Sequence, residues 1–183
     1  MTRYLSGFTG RRAAAVVALS ALLLGASCGK SMMRQGDGSS YLIVTLLQAA
    51  PGGAPGTTPS TFSDYLQSTV SSGTDDIGQV TLRMALKDTV STGVTPTAAN
   101  TITITDYSVV YVPSAPGLTG CSGALTGTVS ASDTTLSFVL VRHQDKAGLT
   151  TPSSTAAHVT FNGHDQAGHA VSVTASINVT FVS

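Results

Sequence analysis

Residues 159–181 read VTFNGHDQAGHAVSVTASINVTF, and this stretch carries the clearest fold signal in the chain. Apolar side chains alternate with polar or small ones on both sides of the central residues 165–168, DQAG. Period-two alternation is typical of a strand with one buried face, whereas Asp and Gly favour tight turns. The stretch therefore predicts a β-hairpin with two long arms, 156–164 and 169–182.

Alternation of the same kind recurs upstream and predicts further strands. Residues 101–112 alternate, but the phase shifts by one residue near Asp106, which predicts a β-bulge. The run 41–48, YLIVTLLQ, is so apolar that we expect a strand covered on both faces. Altogether we expect strands in seven segments: 41–48, 79–87, 101–112, 123–130, 135–142, 156–164 and 169–182.

The composition favours an all-β fold. All nine acidic residues are Asp, Lys is rare, and Thr, Val, Ser and Gly are abundant. Glu and Lys favour helices, whereas β-branched residues suit strands. The segment 61–70, TFSDYLQSTV, stays open, because Phe62 and Leu66 lie four apart as on a helix while Thr69 and Val70 favour a strand.

Residues 41–183 resemble bacterial immunoglobulin-like or fibronectin-like domains. The hairpin 159–181 is similar to the last two strands of such domains, and the run with Ile104, Tyr107, Val109 and Tyr111 is similar to their third strand. The resemblance implies an antiparallel immunoglobulin-like β-sandwich of about seven strands. The chain departs from antibody-type domains, because it has no Trp and no second Cys to bridge the sheets.

The first 28 residues carry the three parts of an export signal. Residues 1–12 hold three Arg and no acid, residues 13–25 are apolar except for one Ser, and Ala26 and Ser27 precede Cys28. The apolar run is too short for a bilayer-spanning helix, which needs about 20 residues. We therefore expect a cleaved signal rather than a membrane span.

The stretch 24–28, LGASC, resembles the lipobox of bacterial lipoproteins. The resemblance implies cleavage before Cys28 and acylation of that cysteine, on its sulfur and then often on its amino group. Gly25 departs from the pattern, since Leu or Val is commoner there. Two or three acyl chains would hold the protein durably at a membrane, because one chain binds only marginally. Gly29 rather than Asp after the cysteine favours the outer membrane if the host is Gram-negative.

The chain thus divides into three expected parts. These are a signal peptide in residues 1–27, the acylated cysteine with a flexible tether in residues 28–40, and the β-sandwich domain in residues 41–183. The mature part would carry six basic and nine acidic residues, a net charge of about −3. Nucleic-acid binding needs clustered Lys and Arg, so we expect no nucleic-acid partner.

No motif points to catalysis. Residues 120–123, GCSG, lack the spacing of a nucleophile elbow, and the chain has no Glu to act as acid or base. Asp75 and Asp76 are adjacent, so their side chains would diverge on an extended chain, and we expect a solvated loop. Cys121 can be a buried small side chain or a reactive thiol, and burial statistics favour the first. We assign no catalytic residue and no cofactor.

Three histidines and an aspartate near the chain's last turn invite a metal-site hypothesis. His158, His164, Asp165 and His169 lie within twelve residues, and Zn²⁺ or Cu²⁺ could bind if His164 and His169 approach across the hairpin. Asp165 is better suited to accepting backbone N–H groups in the turn, and His158 is a strand away. We therefore assign no metal ligand, and Cys28 is the one site residue that we predict.

Three classes of function remain at this point. The leading hypothesis is a lipid-anchored cell-envelope protein whose non-catalytic sandwich is structural or binds another envelope protein, with the membrane as a partner through Cys28. The alternative is a surface adhesion or carbohydrate-binding module, although the chain has no Trp and few Tyr for an aromatic platform. The third class, an enzyme such as a hydrolase, lacks a motif.

Overall fold

The computed structural model describes residues 39–52, 61–87, 96–114 and 117–183. The strands are β1 (Ser40–Ala50), β2 (Tyr65–Thr69), β3 (Asp76–Leu86), β4 (Ile102–Val112), β5 (Cys121–Val129), β6 (Thr134–Val141), β7 (Ser153–Asp165) and β8 (Ala170–Val182). The helical elements are a 3₁₀ turn at Ala98–Asn100 and a short helix α1 (His143–Lys146). No helix in the described part of the chain has the length and apolar character to cross a lipid bilayer.

Two sheets make up this all-β domain. The first has the strand order β1-β3-β6, and the second has the order β2-β8-β7-β4-β5. Neighbouring strands run antiparallel except β2 and β8, which are parallel. The architecture is consistent with a β-sandwich.

Aromatic rings at the centre of the core join the two sheets. The ring of Phe138 in β6 lies 5.0 Å from that of Tyr107 in β4 and 5.3 Å from that of Phe161 in β7, centroid to centroid. Tilted and edge-on ring contacts of this kind stabilise beyond the area that they bury. Gly78 of β3 leaves the space for Phe138, because a Cβ at position 78 would collide with this ring.

The hairpin and the bulge predicted from the alternation are both confirmed. β7 and β8 pair over their whole length around the turn at Asp165–Gly168. The register of β4 shifts between Ile104 and Asp106 against both of its neighbours. The phase shift in the sequence therefore corresponds to a real irregularity, which keeps Ile104 and Tyr107 both in the core.

Two expectations about the strands are wrong. The open segment 61–70 contains β2, an eighth strand that runs parallel to β8, so the sandwich is not wholly antiparallel. β1 is not covered on both faces, because it lies at a sheet edge and leaves Tyr41 and Leu46 exposed by 42% and 46%. Ala49, near the end of β1, and Ser63, just before β2, exchange two backbone hydrogen bonds in an isolated antiparallel bridge. The chain then continues into β2 in the second sheet.

Strand directions give the domain two distinct ends. At the first, called the Ser39 end, the carbonyl of Ser39 accepts the N–H of Lys87 at 2.9 Å and its hydroxyl accepts the side-chain amide of Asn100 at 3.3 Å. The β7–β8 turn lies at the same end, since Asp165 pairs with Ile102 at the start of β4. The opposite end, called the His143 end, carries α1 and the start of β3.

Candidate functional site

The predicted lipid-attachment residue, Cys28, lies outside the described residues, as do the signal peptide and most of the tether. Its acylation therefore stays a prediction. The other residues that the sequence singled out lie in the described domain, and the structure distributes them between the β7–β8 turn, the core and the His143 end.

Asp165 organises the β7–β8 turn. Its Oδ1 accepts the N–H groups of Ala167 and His169, each at 2.9 Å, and its Oδ2 lies 2.9 Å from Nδ1 of His169. Burial by itself raises the pKa of Asp165, but hydrogen bonds from the backbone and ring of His169 outweigh it and hold the pKa below its usual value. The prediction that Asp165 serves the turn is confirmed.

The histidines of this hairpin bind different partners. Nδ1 of His164 lies 3.1 Å from the carbonyl oxygen of Asp165, and Nδ1 of His158 lies 3.2 Å from the hydroxyl of Ser176. Within the described ranges, no three His, Cys, Asp or Glu side chains gather closely enough to hold a metal ion. These histidines therefore take part in hydrogen bonds within the turn and between the paired strands.

Cys121 is a buried side chain, as the burial statistics favoured. It is 6% exposed, and its sulfur lies 3.8 Å from the carbonyl oxygens of Val139 and Leu140. Burial raises the pKa of the Cys121 thiol and so disfavours the reactive thiolate.

The expectation of a solvated Asp75–Asp76 loop is wrong for Asp76. Its side chain is 1% exposed and lies 2.7 Å from Nζ of Lys146, whose side chain is 0% exposed. Asp76 is the first residue of β3, and the alternation of that strand directs it inward while Asp75 turns outward. The two carboxylates diverge as expected, but one of them enters the core with a cation.

Every oxygen of the buried Asp76 carboxylate has a partner. Oδ1 accepts the N–H of Gly52 at 2.9 Å as well as the Lys146 ammonium, and Oδ2 accepts the hydroxyl of Ser68 at 2.6 Å. Nζ of Lys146 also donates to the carbonyl of Thr74 at 3.0 Å. Buried charges are tolerated when they are paired and hydrogen-bonded in this way. The network ties β2, β3 and α1 to the end of β1.

Beside this network, a polar cleft of about 410 Å³ opens at the His143 end. Asp75 and His143 form one wall of the cleft. Oδ1 of Asp75 accepts a hydrogen bond from the backbone N–H of His143 at 2.8 Å, and it lies 2.8 Å from the ring Nδ1 of the same residue. Tyr107, Ser122 and Arg142 also line the cleft. The carboxylate thus caps the first turn of α1 and orients the imidazole.

The cleft brings together a carboxylate, an imidazole and a guanidinium, from Asp75, His143 and Arg142. Burial alone would raise the pKa of Asp75, but the backbone and ring hydrogen bonds from His143 outweigh it and hold the pKa below its usual value. In a Ser-His-Asp triad the imidazole also bonds to the serine hydroxyl. Within the described residues, His143 bonds to Asp75 and to no serine hydroxyl.

The outer face of the five-stranded sheet carries mostly uncharged polar side chains. Side-chain pairs cross it between strands, including Thr160 with Thr174 at 2.9 Å and Ser154 with Thr180 at 3.1 Å. Asp106, at the bulge, is the one Asp, Lys or Arg on this face among the described residues, and it accepts the amide of Asn162 at 2.7 Å. The face is therefore rich in hydroxyl groups and nearly free of charge.

Exposed apolar side chains collect on this face toward the His143 end. Val110, Val112 and Tyr65 are exposed by 56%, 52% and 56%, the highest values among the large hydrophobic side chains described. The register places Val112 opposite Ala156, Ala156 opposite Asn178, and Asn178 opposite Tyr65. We call Tyr65, Val110, Val112 and Ala156 the apolar row.

Sequence reasoning missed the Lys146–Asp76 pair and the apolar row. Lys146 lies 70 residues from Asp76, and its neighbours carry no pattern that marks it as buried. Its one signal is rarity, since the chain has only three Lys. The alternation in residues 101–112 places Val110 and Val112 on the face opposite to the core residues. It does not say whether another part of the chain covers that face, because coverage depends on how the sheets pack.

Comparison with known proteins finds no family model that matches this chain and no curated protein that is similar to it. The site is therefore interpreted from its geometry.

Proposed function

We propose that this chain is a lipid-anchored cell-envelope protein whose immunoglobulin-like β-sandwich binds another envelope protein and catalyses no reaction. The membrane attachment rests on the basic start, the apolar run and the lipobox-like residues that end at Cys28. The outer membrane is the favoured location if the host is Gram-negative.

The strand order supports the immunoglobulin-like assignment. In immunoglobulin domains the first, second and fifth strands of the basic fold share one sheet, and the third, sixth and seventh share the other. If β2 and β5 are taken as additions at the edges of the second sheet, β1-β3-β6 and β8-β7-β4 match those two sets in order. The absence of Trp and of an inter-sheet disulfide keeps the likeness at the level of fold.

The observation that carries the binding proposal is the apolar row on a nearly uncharged sheet face. Protein interfaces are depleted of charge at their centre and enriched in aromatic side chains, which matches an exposed Tyr65 on the same face as two exposed valines. The row lies toward the His143 end, whereas the described chain begins at the opposite end with Ser39. A tether leading from Ser39 to a membrane would leave the row accessible to a partner.

Photo-cross-linking in intact cells tests this proposal. A photo-reactive amino acid at position 112 is expected to give one discrete cross-linked species, which a Val110→Asp substitution removes. The matched control is position 83, an exposed site on the other sheet, where the same species should not form. Equal products from both positions, or none from position 112, would contradict a binding role for this face.

A carbohydrate-binding or adhesion role is the second candidate. The observation in its favour is the hydroxyl- and amide-bearing outer face, where the exposed Tyr65 has Asn178 as its cross-strand neighbour. Binding of the purified protein to immobilised cell-wall or host glycans, lost in Tyr65→Ala, would favour this candidate. Binding that survives Tyr65→Ala would exclude this face as the glycan site.

A further inference from the structure

The Lys146–Asp76 pair combines two reactive groups in a site closed to water. The ammonium nitrogen and the carboxylate oxygen Oδ1 are 2.7 Å apart, and the two side chains are 0% and 1% exposed. An amine and a carboxyl group held in contact by the fold have a high effective concentration toward each other. This pair goes beyond the proposed binding function, which uses neither residue.

The surroundings of the pair fix the carboxyl group for attack. Ser68 donates its hydroxyl to Oδ2 at 2.6 Å, Gly52 donates its N–H to Oδ1 at 2.9 Å, and the carbonyl of Thr74 accepts from Nζ at 3.0 Å. Three separate segments of the chain therefore hold the nitrogen of Lys146 and the carboxyl carbon of Asp76 in one orientation. A hydroxyl aimed at a carboxyl oxygen also stabilises the negative charge that develops there during addition.

We propose that Lys146 and Asp76 condense into an intramolecular amide bond. The Lys146 ammonium first passes a proton to Oδ1 of Asp76 along their hydrogen bond, which leaves a neutral amine and a neutral acid. The nitrogen lone pair then attacks the carboxyl carbon, and Oδ2 takes the negative charge beside Ser68. A second proton moves from nitrogen to Oδ1, the bond from carbon to Oδ1 breaks, and one water molecule leaves. Ammonium and carboxylate thus become one amide and one water, without oxidant or cofactor.

The amide suits this site better than two ions do. Condensation removes two charges from a place that water does not reach, where each charge is costly. The remaining N–H of the amide still faces the carbonyl of Thr74, and its oxygen still accepts from Ser68. The bond would join the start of β3 to α1 across 70 residues and fasten the His143 end.

Peptide mapping of the full-length purified protein tests the proposal directly. Trypsin cleaves after Lys and Arg, so an amide on Lys146 blocks cleavage there. We expect residues 35–83 joined to residues 143–183, with a mass lower than the sum of the two peptides by one water molecule. Free peptides 143–146 and 147–183, together with 35–83 at its unmodified mass, would overturn the proposal and leave an ion pair only.

Variants locate the bond. Asp76→Ala should abolish the joined species, whereas Asp75→Asn, at the neighbouring exposed carboxylate, should keep it. Ser68→Ala should lower the joined fraction at early times after synthesis, because it removes the donor to Oδ2. The wild-type digest decides the proposal by itself, so a variant that fails to fold does not leave it untested. A joined species that persists in Asp76→Ala would contradict the assignment to this pair.

Discussion

Two ion pairs of the domain differ mainly in their access to water. Lys146 and Asp76 are buried, whereas the side chains of Arg83 and Asp133 are 47% and 48% exposed. Removing one member of a buried pair leaves an unpaired charge in the core, whereas an exposed charge is solvated when its partner is lost. Loss of one member of the buried pair is therefore expected to destabilise the fold far more than the same loss in the exposed pair.

Lys146→Ala is expected to lower the free energy of unfolding by roughly 3–5 kcal/mol, because it leaves the buried Asp76 carboxylate without its partner. Chemical denaturation followed by circular dichroism measures this change. The control, Arg83→Ala, removes a cation from the exposed pair and should leave the free energy of unfolding nearly unchanged. Similar losses in both variants would contradict the burial argument.

Asp165 should make the domain sensitive to acid. Its pKa is lower in the folded protein than in the unfolded chain, so its contribution to stability is complete above the unfolded value, about 3.9. The contribution is lost as the pH falls through the folded pKa. Asp165→Asn keeps an oxygen acceptor for the turn but cannot ionise.

We therefore expect the wild type to lose more stability than Asp165→Asn between about pH 5 and pH 2. Thermal unfolding recorded across this range makes the comparison. An unchanged difference between the two proteins from pH 7 to pH 2 would show that the charge of Asp165 does not stabilise the turn.

At the scale of single elements, β4 depends on a close approach of its backbone to β7. Ile104 pairs with Gly163 beside the bulge, and a Cβ at position 163 would collide with the carbonyl oxygen of Thr103. No side chain larger than hydrogen fits there without moving a strand. Gly163 thus allows β4 and β7 to approach closely next to the bulge in β4.

Gly163→Ala is expected to destabilise the domain by about 1–3 kcal/mol, the usual range for forced backbone shifts in a packed structure. Gly73→Ala is the matched control, because a Cβ at position 73 meets nothing within 4 Å. Urea denaturation of the two variants gives the comparison. Equal stability would mean that the two strands separate locally without cost.

The sequence predicted the elements whose stability comes from local pattern. The alternation of apolar and polar residues predicted the β7–β8 hairpin and the β4 bulge, because core-facing side chains in a strand recur at every second position. β2 stayed open, since five residues carry little periodic signal and its partner β8 lies more than a hundred residues away. The exposure of β1 was missed because it depends on sheet order, which no local pattern records.

The candidate site was less predictable than the fold. Asp165 was recognised, because its partners lie within four residues in the same turn. Asp76 was misjudged, because its partner belongs to α1 and lies 70 residues away along the chain. Side chains whose role depends on distant partners have no signature in a single sequence.

At the scale of the whole molecule, the first described residue and the apolar row lie toward opposite ends of the domain. The described chain begins at Ser39, and the apolar row lies toward the His143 end of the second sheet. At that end, both oxygens of the buried Asp76 carboxylate have hydrogen-bond partners. The function proposed here depends on the lipid that would hold the whole assembly at a bilayer.

Cell fractionation after labelling with palmitate tests that central claim most directly. The wild type and the control Cys121→Ser are expected to carry label and to sediment with membranes, since the one cysteine within the described domain is buried. Cys28→Ser should lose both the label and the membrane association. Unlabelled wild-type protein in the aqueous fraction, indistinguishable from Cys28→Ser, would contradict the account.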